Sequence, residues 1–404
     1  MKRKLWNKDT ILMLQGNAVS ALGDILYSVA IGYWVYEKTG SSALMGIMSS
    51  ISMFMTMLVM PFSGSIIDKC SRKLIIVGMD ALRGVIMLAL GVLAFADSLS
   101  VPVVLAAAFL ASACSVFFSP AVSTLMLDII PHDDMVRGQS VFSGVNSFVN
   151  LVGKAISGAL VAFLGVPLIV LLNGVSYLIS AVTELFITVP KTAHQGEKIT
   201  LGGIFADFKV AVREIFGNRY LKLFIPCALI LNLLGAGPMT LMLPFMLEKG
   251  FTVDMYGYLM SVETAASLLC VCLLGVVRLK PKARYLGMSG GFLSAILFFI
   301  LTYLTKNYAV MCVTMFLGNF ANTMGNSIFN ASMMLALPEE NRGAILGFIS
   351  SASLGGCALS SVIFGALGDV FPLYLVFVVG SLLSTIPMAF MCLHKNAREF
   401  VLTN

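Results

Sequence analysis

The sequence predicts an all-α membrane protein, with twelve transmembrane helices arranged as two pseudo-symmetric six-helix bundles. Three observations carry this. First, 58% of the 404 residues are apolar and only 11% are charged, with a mean hydropathy of +0.94. A soluble chain of this length could not hide so much apolar surface, so lipid must be its solvent. Second, the apolar residues fall in twelve stretches, each long enough for the roughly 20 residues that a bilayer helix needs. Third, the chain repeats itself. Pro131-His132-Asp133-Asp134-Met135-Val136-Arg137-Gly138 ends one apolar stretch and opens another, and Pro338-Glu339-Glu340-Asn341-Arg342-Gly343 does the same about 200 residues later, half the chain.

In order, the stretches lie near 10–36, 43–67, 74–96, 102–127, 138–163, 166–189, 220–247, 254–277, 285–304, 308–336, 343–368 and 371–393. The first follows basic Met1 to Asn7, but it is too long for a cleavable signal and lacks a small-residue cleavage site. Pro120 predicts a kink in the fourth. Glycines in the fifth (Gly153, Gly158) and the eleventh (Gly355, Gly356, Gly365, Gly368) allow helices to approach closely. Most joining loops are short, so consecutive helices are antiparallel neighbours. The exception is the polar stretch from Pro190 to Arg219, whose Ile204-to-Phe216 portion is amphipathic and suited to the membrane surface. The expected organisation is an N-terminal bundle over 1–190, a cytoplasmic linker over 191–219 and a C-terminal bundle over 220–404.

Charge placement sets the orientation. Of the 26 Lys and Arg residues, 21 fall in the termini and loops of one side, against Lys38, Lys249 and Lys306 on the other. Both termini are therefore expected in the cytoplasm of a cell with a plasma membrane of the bacterial kind. The net charge of +6 is then topological, and a nucleic-acid partner is not expected. Seven of the eight Cys lie in apolar stretches and Cys70 in a basic loop, none with metal-ligand spacing to His132, His194 or His394. Neither disulfides, a metal nor a cofactor is expected. The chain has no Gly-x-x-x-x-Gly-Lys-[Ser/Thr] motif and no clustered nucleophile–base set, so a nucleotide motor and an enzyme are both disfavoured.

Polar residues inside the spans are the candidates for function, because each is costly in lipid unless it is paired or faces a cavity. Asp24 lies midway along the first span and shares a face with Asn17, Ser20 and Ser28. It reads as a proton carrier or a cation-recognition group, with a structural pair to a neighbouring helix as the plainer role. Asn146, Asn150 and Lys154 follow one another at i+4 steps in the fifth span. Lys154 needs a partner or an anionic substrate, and Asp24 or Glu263 of the eighth span could supply the partner. Glu263 is the second deep carboxylate. Asn319, Asn322, Asn326 and Asn330 form a stripe on the tenth span, which would line a central pathway or clamp helices together. Asn173 and Asn232 are isolated and read as packing residues. Glu184, with Asp80 and Arg83 three residues apart, is shallower and reads as structural.

The loop between the second and third spans reads Gly64-Ser65-Ile66-Ile67-Asp68-Lys69-Cys70-Ser71-Arg72-Lys73. Here the chain resembles the major facilitator superfamily, whose signature at this place is Gly, three residues, Asp, a basic residue, two residues, then Arg-Lys. Ser71 replaces the usual Gly, and the second-half copy, Gly275 to Arg284, lacks the acid. The resemblance implies a conformational latch of Gly64, Asp68, Arg72 and Lys73, with Asp68 at the start of the eleventh helix and Arg72 paired to Asp128. Leu22-Gly23-Asp24, Tyr33-Trp34-Val35-Tyr36-Glu37-Lys38-Thr39-Gly40-Ser41 and Phe117-Phe118-Ser119-Pro120-Ala121 are similar to the drug:proton antiporter-3 branch, which includes macrolide-efflux proteins and enterobactin exporters. That resemblance implies a secondary active transporter, working as a monomer by alternating access. It would export an amphipathic small molecule of drug or macrolide type in exchange for protons, with no cofactor. The alternatives are a uniporter, an uptake system or an exporter of a native metabolite such as a siderophore; a membrane sensor is more remote. Many proton-coupled members carry an arginine in helix 4, whereas the fourth span here has no basic residue.

Overall fold

A computed structural model describes residues 6–69, 71–130, 134–188, 212–218, 221–277, 280–336 and 342–394. Among them, all regular structure is helical. The helices are α1 (Lys8–Thr39), α2 (Ser42–Lys69), α3 (Arg72–Phe95), α4 (Val101–Ile129), α5 (Met135–Glu184) and α6 (Leu221–Thr240). They continue with α7 (Met242–Glu248), α8 (Val253–Val276), α9 (Pro281–Leu304), α10 (Tyr308–Ala336), α11 (Arg342–Val370) and α12 (Leu373–Leu393).

Ten of the described helices are long and apolar enough to cross a membrane. Helix α5 accounts for two of the expected spans, because Gly165 (φ 74°, ψ 161°) turns the chain out of helical geometry between 138–163 and 166–189. Only glycine takes that backbone region without strain, and Pro167 follows at once. Helix α10 falls short on apolarity because of its asparagines, but its 29 residues exceed the length needed. The expected seventh span is divided into α6 and α7. Pro244 has no N–H to give the Thr240 carbonyl, so the helical ladder cannot run through. The linker with its Ile204-to-Phe216 portion lies almost wholly outside the described residues, although 212–217 is helical.

Large apolar side chains cover the outside, with Phe163 at 85% and Val276 at 84% exposure, as lipid contact allows and water would not. The chain forms two compact units. The first comprises 1–40, 51–199 and 252–258, and the second 41–50, 200–251 and 259–404. In the first unit α1 packs on α5, and α3 on α4 and α5. In the second α6 packs on α11, and α9 on α10 and α12, so the helix pairings repeat.

Each unit has an apolar centre. In the first, Met13, Ile76, Phe118, Leu125, Ile129 and Phe142 pack together. In the second, Phe224, Met288, Phe292, Ile328, Ile345 and Met391 do so, and Phe224 meets Phe329 edge-on at 5.9 Å. Glycines set the closest helix approaches. A Cβ on Gly158 would lie 2.1 Å from the Val253 carbonyl oxygen, and one on Gly46 would lie 2.1 Å from that of Ser361.

Charged ends are capped. In the second unit the Asp369 carboxylate accepts from the Ser41 hydroxyl (2.7 Å) and the Ala43 N–H (3.1 Å), at the positive end of α2. Lys249 donates to the Tyr303 and Thr305 carbonyls, both at 2.6 Å, at the negative end of α9. Its neighbour Glu248 accepts from the Leu373 N–H (3.2 Å) at the start of α12.

Candidate functional site

Two places in the structure gather polar groups at membrane depth, one in each unit. In the first unit, α1, α3 and α5 meet around a buried charge cluster. Close packing makes the meeting possible: a Cβ on Gly23 of α1 would lie 2.3 Å from Asn173 Oδ1, and one on Gly84 of α3 would lie 2.7 Å from Leu178 Cδ2. Arg83 pairs with Asp80 one turn earlier on α3, the partnership expected from their spacing. The same guanidinium donates to the Tyr177 hydroxyl and to Ser115 Oγ, both at 3.4 Å. It also lies between two rings, 4.3 Å from the centroid of Phe118 and 4.5 Å from that of Tyr177. Helix α4, which has no basic residue along its span, thus receives this cation from α3.

Tyr177 in turn donates its hydroxyl proton to Asp24 Oδ1. Nearly two helical turns beyond Tyr177, Glu184 accepts from the Ser180 hydroxyl at 3.2 Å. Asp80 is 0%, Glu184 1% and Arg83 4% exposed, while Asp24 keeps a partial opening. Breaking such a buried pair from one side typically costs ~3–5 kcal/mol, because the remaining charge is stranded.

The other polar residues singled out in the first unit are more local. Asn17 Nδ2 donates to Asn146 Oδ1 (2.9 Å), which ties α1 to α5, and Asn150 donates to the Asn146 carbonyl (3.0 Å). Lys154 is half-buried, and its carbonyl sits where a Cβ on Gly257 would fall, at 2.7 Å. The counter-charge acting on Asp24 is Arg83. Arg72 and Lys73 open α3. Gly64 and Asp68 belong to α2 and Asp128 to α4, but their side chains lie outside the described residues, and so does the latch built on them.

In the second unit a cavity of about 690 Å³ opens among α6, α9, α10, α11 and α12. Asn322, Asn326 and Asn330 line it, together with Asn232, which reads from sequence as a packing residue. Asn232 donates to Ser353 Oγ (3.1 Å), joining α6 to α11. Asn326 donates to the carbonyl and the side-chain oxygen of Asn322, both at 3.0 Å. Asn319 is 3% exposed, donates to the Met315 carbonyl (3.0 Å) and is not part of the lining. Phe292, Phe299, Phe329, Met333 and Met388 supply apolar surface, and every lining residue among the described residues is uncharged. Glu263 lies within electrostatic reach of the Tyr303 hydroxyl, and Tyr303 is itself a lining residue.

Of the residues that matter here, Tyr177, Ser180 and Ser353 are not singled out by the sequence reading. Tyr177, Ser180 and Glu184 recur at steps of three and four, so they share one helix face, and that periodicity is the signal that marks them.

The sequence profile described as Major Facilitator Superfamily matches residues 13–361. The chain belongs to that superfamily. That family is one of multi-pass membrane transporters, which are not enzymes. Over 186 residues it is 23% identical to macrolide efflux protein A of Streptococcus pyogenes, a match spanning 46% of each chain. It is 29% identical over 217 residues to a protein of Bacillus subtilis named as a bacilysin exporter, BacE, spanning 52% of this chain and 51% of that one. These matches thus span about half the length of each relative. Among solved structures, a bacterial homologue of the human lysosomal transporter Spinster superposes with a TM-score of 0.76 at 15% identity, covering 98% of both chains. The nucleoside transporter NupG gives 0.73 at 14% identity, covering 95% of this chain and 99% of that one. At such identities the superpositions show the fold.

Proposed function

We propose that the protein is a secondary active exporter of an amphipathic small molecule, working by alternating access and driven by proton antiport. The observation that carries the substrate class is the uncharged cavity of the second unit. Phenylalanine and methionine offer it adaptable apolar surface, while Asn232, Asn322, Asn326 and Asn330 offer oriented amides. A solute with an apolar body and neutral polar groups fits that lining better than a permanent ion, which would find no counter-charge in it. Export is supported by relatives named for macrolide efflux and for bacilysin export. The second of these also supports a native metabolite as cargo.

Asp24 is the coupling acid in this reading, because it is half-buried, takes a hydrogen bond from Tyr177 and keeps a partial opening. Lys154, Glu263, Asn17, Asn146 and Asn150 are the further candidates along the pathway, and Gly64, Asp68, Arg72, Lys73 and Asp128 form the latch. In this reading both termini are cytoplasmic in a bacterial cell, which the basic loops support, and the chain acts as a monomer.

Everted membrane vesicles holding an imposed proton gradient test the proposal, with macrolides, other amphipathic drugs and siderophores as probes. Substrate-triggered proton leakage that is lost in Asp24→Asn is the expected result. Leakage that survives the substitution moves the coupling role away from Asp24. Substrate movement without leakage replaces antiport by uniport.

A further inference from the structure

We infer that the first unit holds a shared proton site, made of Asp24, Asp80 and Glu184 around the Arg83 guanidinium, in which Glu184 carries an exchangeable proton. The site stands on its own geometry; its part in transport rests on the antiport reading above.

Three carboxylates surround one guanidinium, and two of them, Asp80 and Glu184, are sealed from solvent at 0% and 1% exposure. The groups facing them come from every element of the cluster. They are Asp24 and Tyr27 on α1, Asp80 and Arg83 on α3, Cys114 on α4, and Tyr177 and Glu184 on α5. Arg83 is the single cation among them. With all three acids ionised, the cluster would bury two uncompensated negative charges, each costing several kcal/mol in a medium of low dielectric.

The hydrogen bonds point the same way. Ser180 has one hydroxyl proton and gives it to Glu184 Oε1. Glu184 Oε2 has no donor among the described residues. Asp80 Oδ1 takes Arg83, while Asp80 Oδ2 is equally without a donor. A buried carboxylate oxygen in that position loses its hydration and gains nothing in return. Protonation cures both faults, because it removes the charge and turns an oxygen from acceptor into donor. Arg83 balances one acid, so two protons bring the cluster to neutrality.

Asp24 and Glu184 lie at different levels of the cluster. Glu184 Oε1 is 3.3 Å from where a Cβ on Gly16 would fall, eight residues into α1, whereas Asp24 lies sixteen residues into that helix. At 1.5 Å per residue the two levels are about 12 Å apart. Arg83 and Tyr177 join Asp80 to Asp24 by hydrogen bonds, and Glu184, held by Ser180, acts on Asp80 and Arg83 through its charge. A proton added or withdrawn at the Glu184 end changes the charge that Arg83 must balance at the Asp24 end. This makes Glu184 a proton-bearing member of the site rather than a spacer.

Infrared titration of the purified full-length protein tests this without any substrate. The carbonyl stretch of a protonated carboxyl, identified by its shift in heavy water, is followed from acid to alkaline buffer. The expected result is a component that fades as pH rises and is missing in Glu184→Gln. Ser180→Ala keeps the test usable if that variant does not fold. It removes the Ser180 donor to Glu184, so the Glu184 component should persist to higher pH than in the wild type. A spectrum unchanged by both variants, or a Glu184 component that never titrates, overturns the inference. Absence of substrate-triggered leakage from vesicles is a separate result, which would remove the antiport reading and leave the proton site standing.

Discussion

Asn326 spends both of its N–H contacts on Asn322, one turn earlier, which fixes the two amides as one unit on the cavity face of α10. The Asn326 oxygen and the Asn322 amide protons then remain to meet a solute. Asn326→Leu keeps the branching and the number of heavy atoms but removes that pattern, and a bound solute would leave a polar group unmatched. The expected cost is ~1.4 kcal/mol, or about tenfold in dissociation constant for a transported compound. Unchanged affinity would take the amide stripe out of the pathway.

Lys249 supplies a prediction of a different kind. Burial pushes its ammonium from the ordinary 10.5 down to about 8. Between these values the folded protein binds fewer protons at this position than the unfolded chain does. Stability contributed by the group therefore rises with pH across the window from 8 to 10.5, and is at its lowest below 8. Thermal unfolding in detergent should show that rise reduced in Lys249→Met. An identical pH profile in the variant would contradict it.

Helix α5 shows how a single glycine can be either a contact or an ornament. At Gly158 a methyl group would drive into the Val253 carbonyl oxygen and the Asp254 Cα, at 2.1 and 2.4 Å. Backbone atoms cannot swing aside, so Gly158→Ala should cost ~1–3 kcal/mol. At Gly144 nothing lies within 4 Å, and the same change should add up to about 1 kcal/mol through helix propensity. Calorimetry of the two variants side by side checks the contrast, and equal effects would mean that helix propensity, not contact, governs both.

Helices are also where the limits of sequence reading show. The expected boundary between 138–163 and 166–189 falls at Gly165, because a long apolar run with glycine and proline at its middle advertises a turn. The break between α6 and α7 was not visible, since Pro238 and Pro244 sit inside an apolar run that reads as continuous. The charge cluster was legible only in fragments. Asp24 stood out by its depth and Asp80–Arg83 by their spacing, but which faces of α1, α3 and α5 meet depends on packing. Glu184 consequently reads as a shallow structural residue, and Tyr177 is not singled out at all.

For the whole molecule, the repeated proline-acid-arginine-glycine segments foretold the duplicated helix pairings, since each copy must bury the same apolar faces. They did not foretell the difference between the copies. The first unit fills the space among α1, α3 and α5 with charge, whereas the second leaves an uncharged cavity among α6, α9, α10, α11 and α12. A reversal of roles follows at this scale. Substitutions in the charge cluster should alter proton stoichiometry with little effect on which compounds are carried, and substitutions in the cavity should do the converse. A panel of transported compounds measured against both sets of variants would expose any mixing of the two.

The uncharged lining has an electrical consequence. A neutral solute moving through a neutral cavity carries no current, so in the proposed cycle all charge displacement belongs to the proton. The membrane voltage then acts on that step alone, at roughly 2.3 kcal/mol per elementary charge per 100 mV. Export of a neutral compound should accelerate as the cell interior is made more negative, and a protein stripped of its titrating acids should become indifferent to voltage.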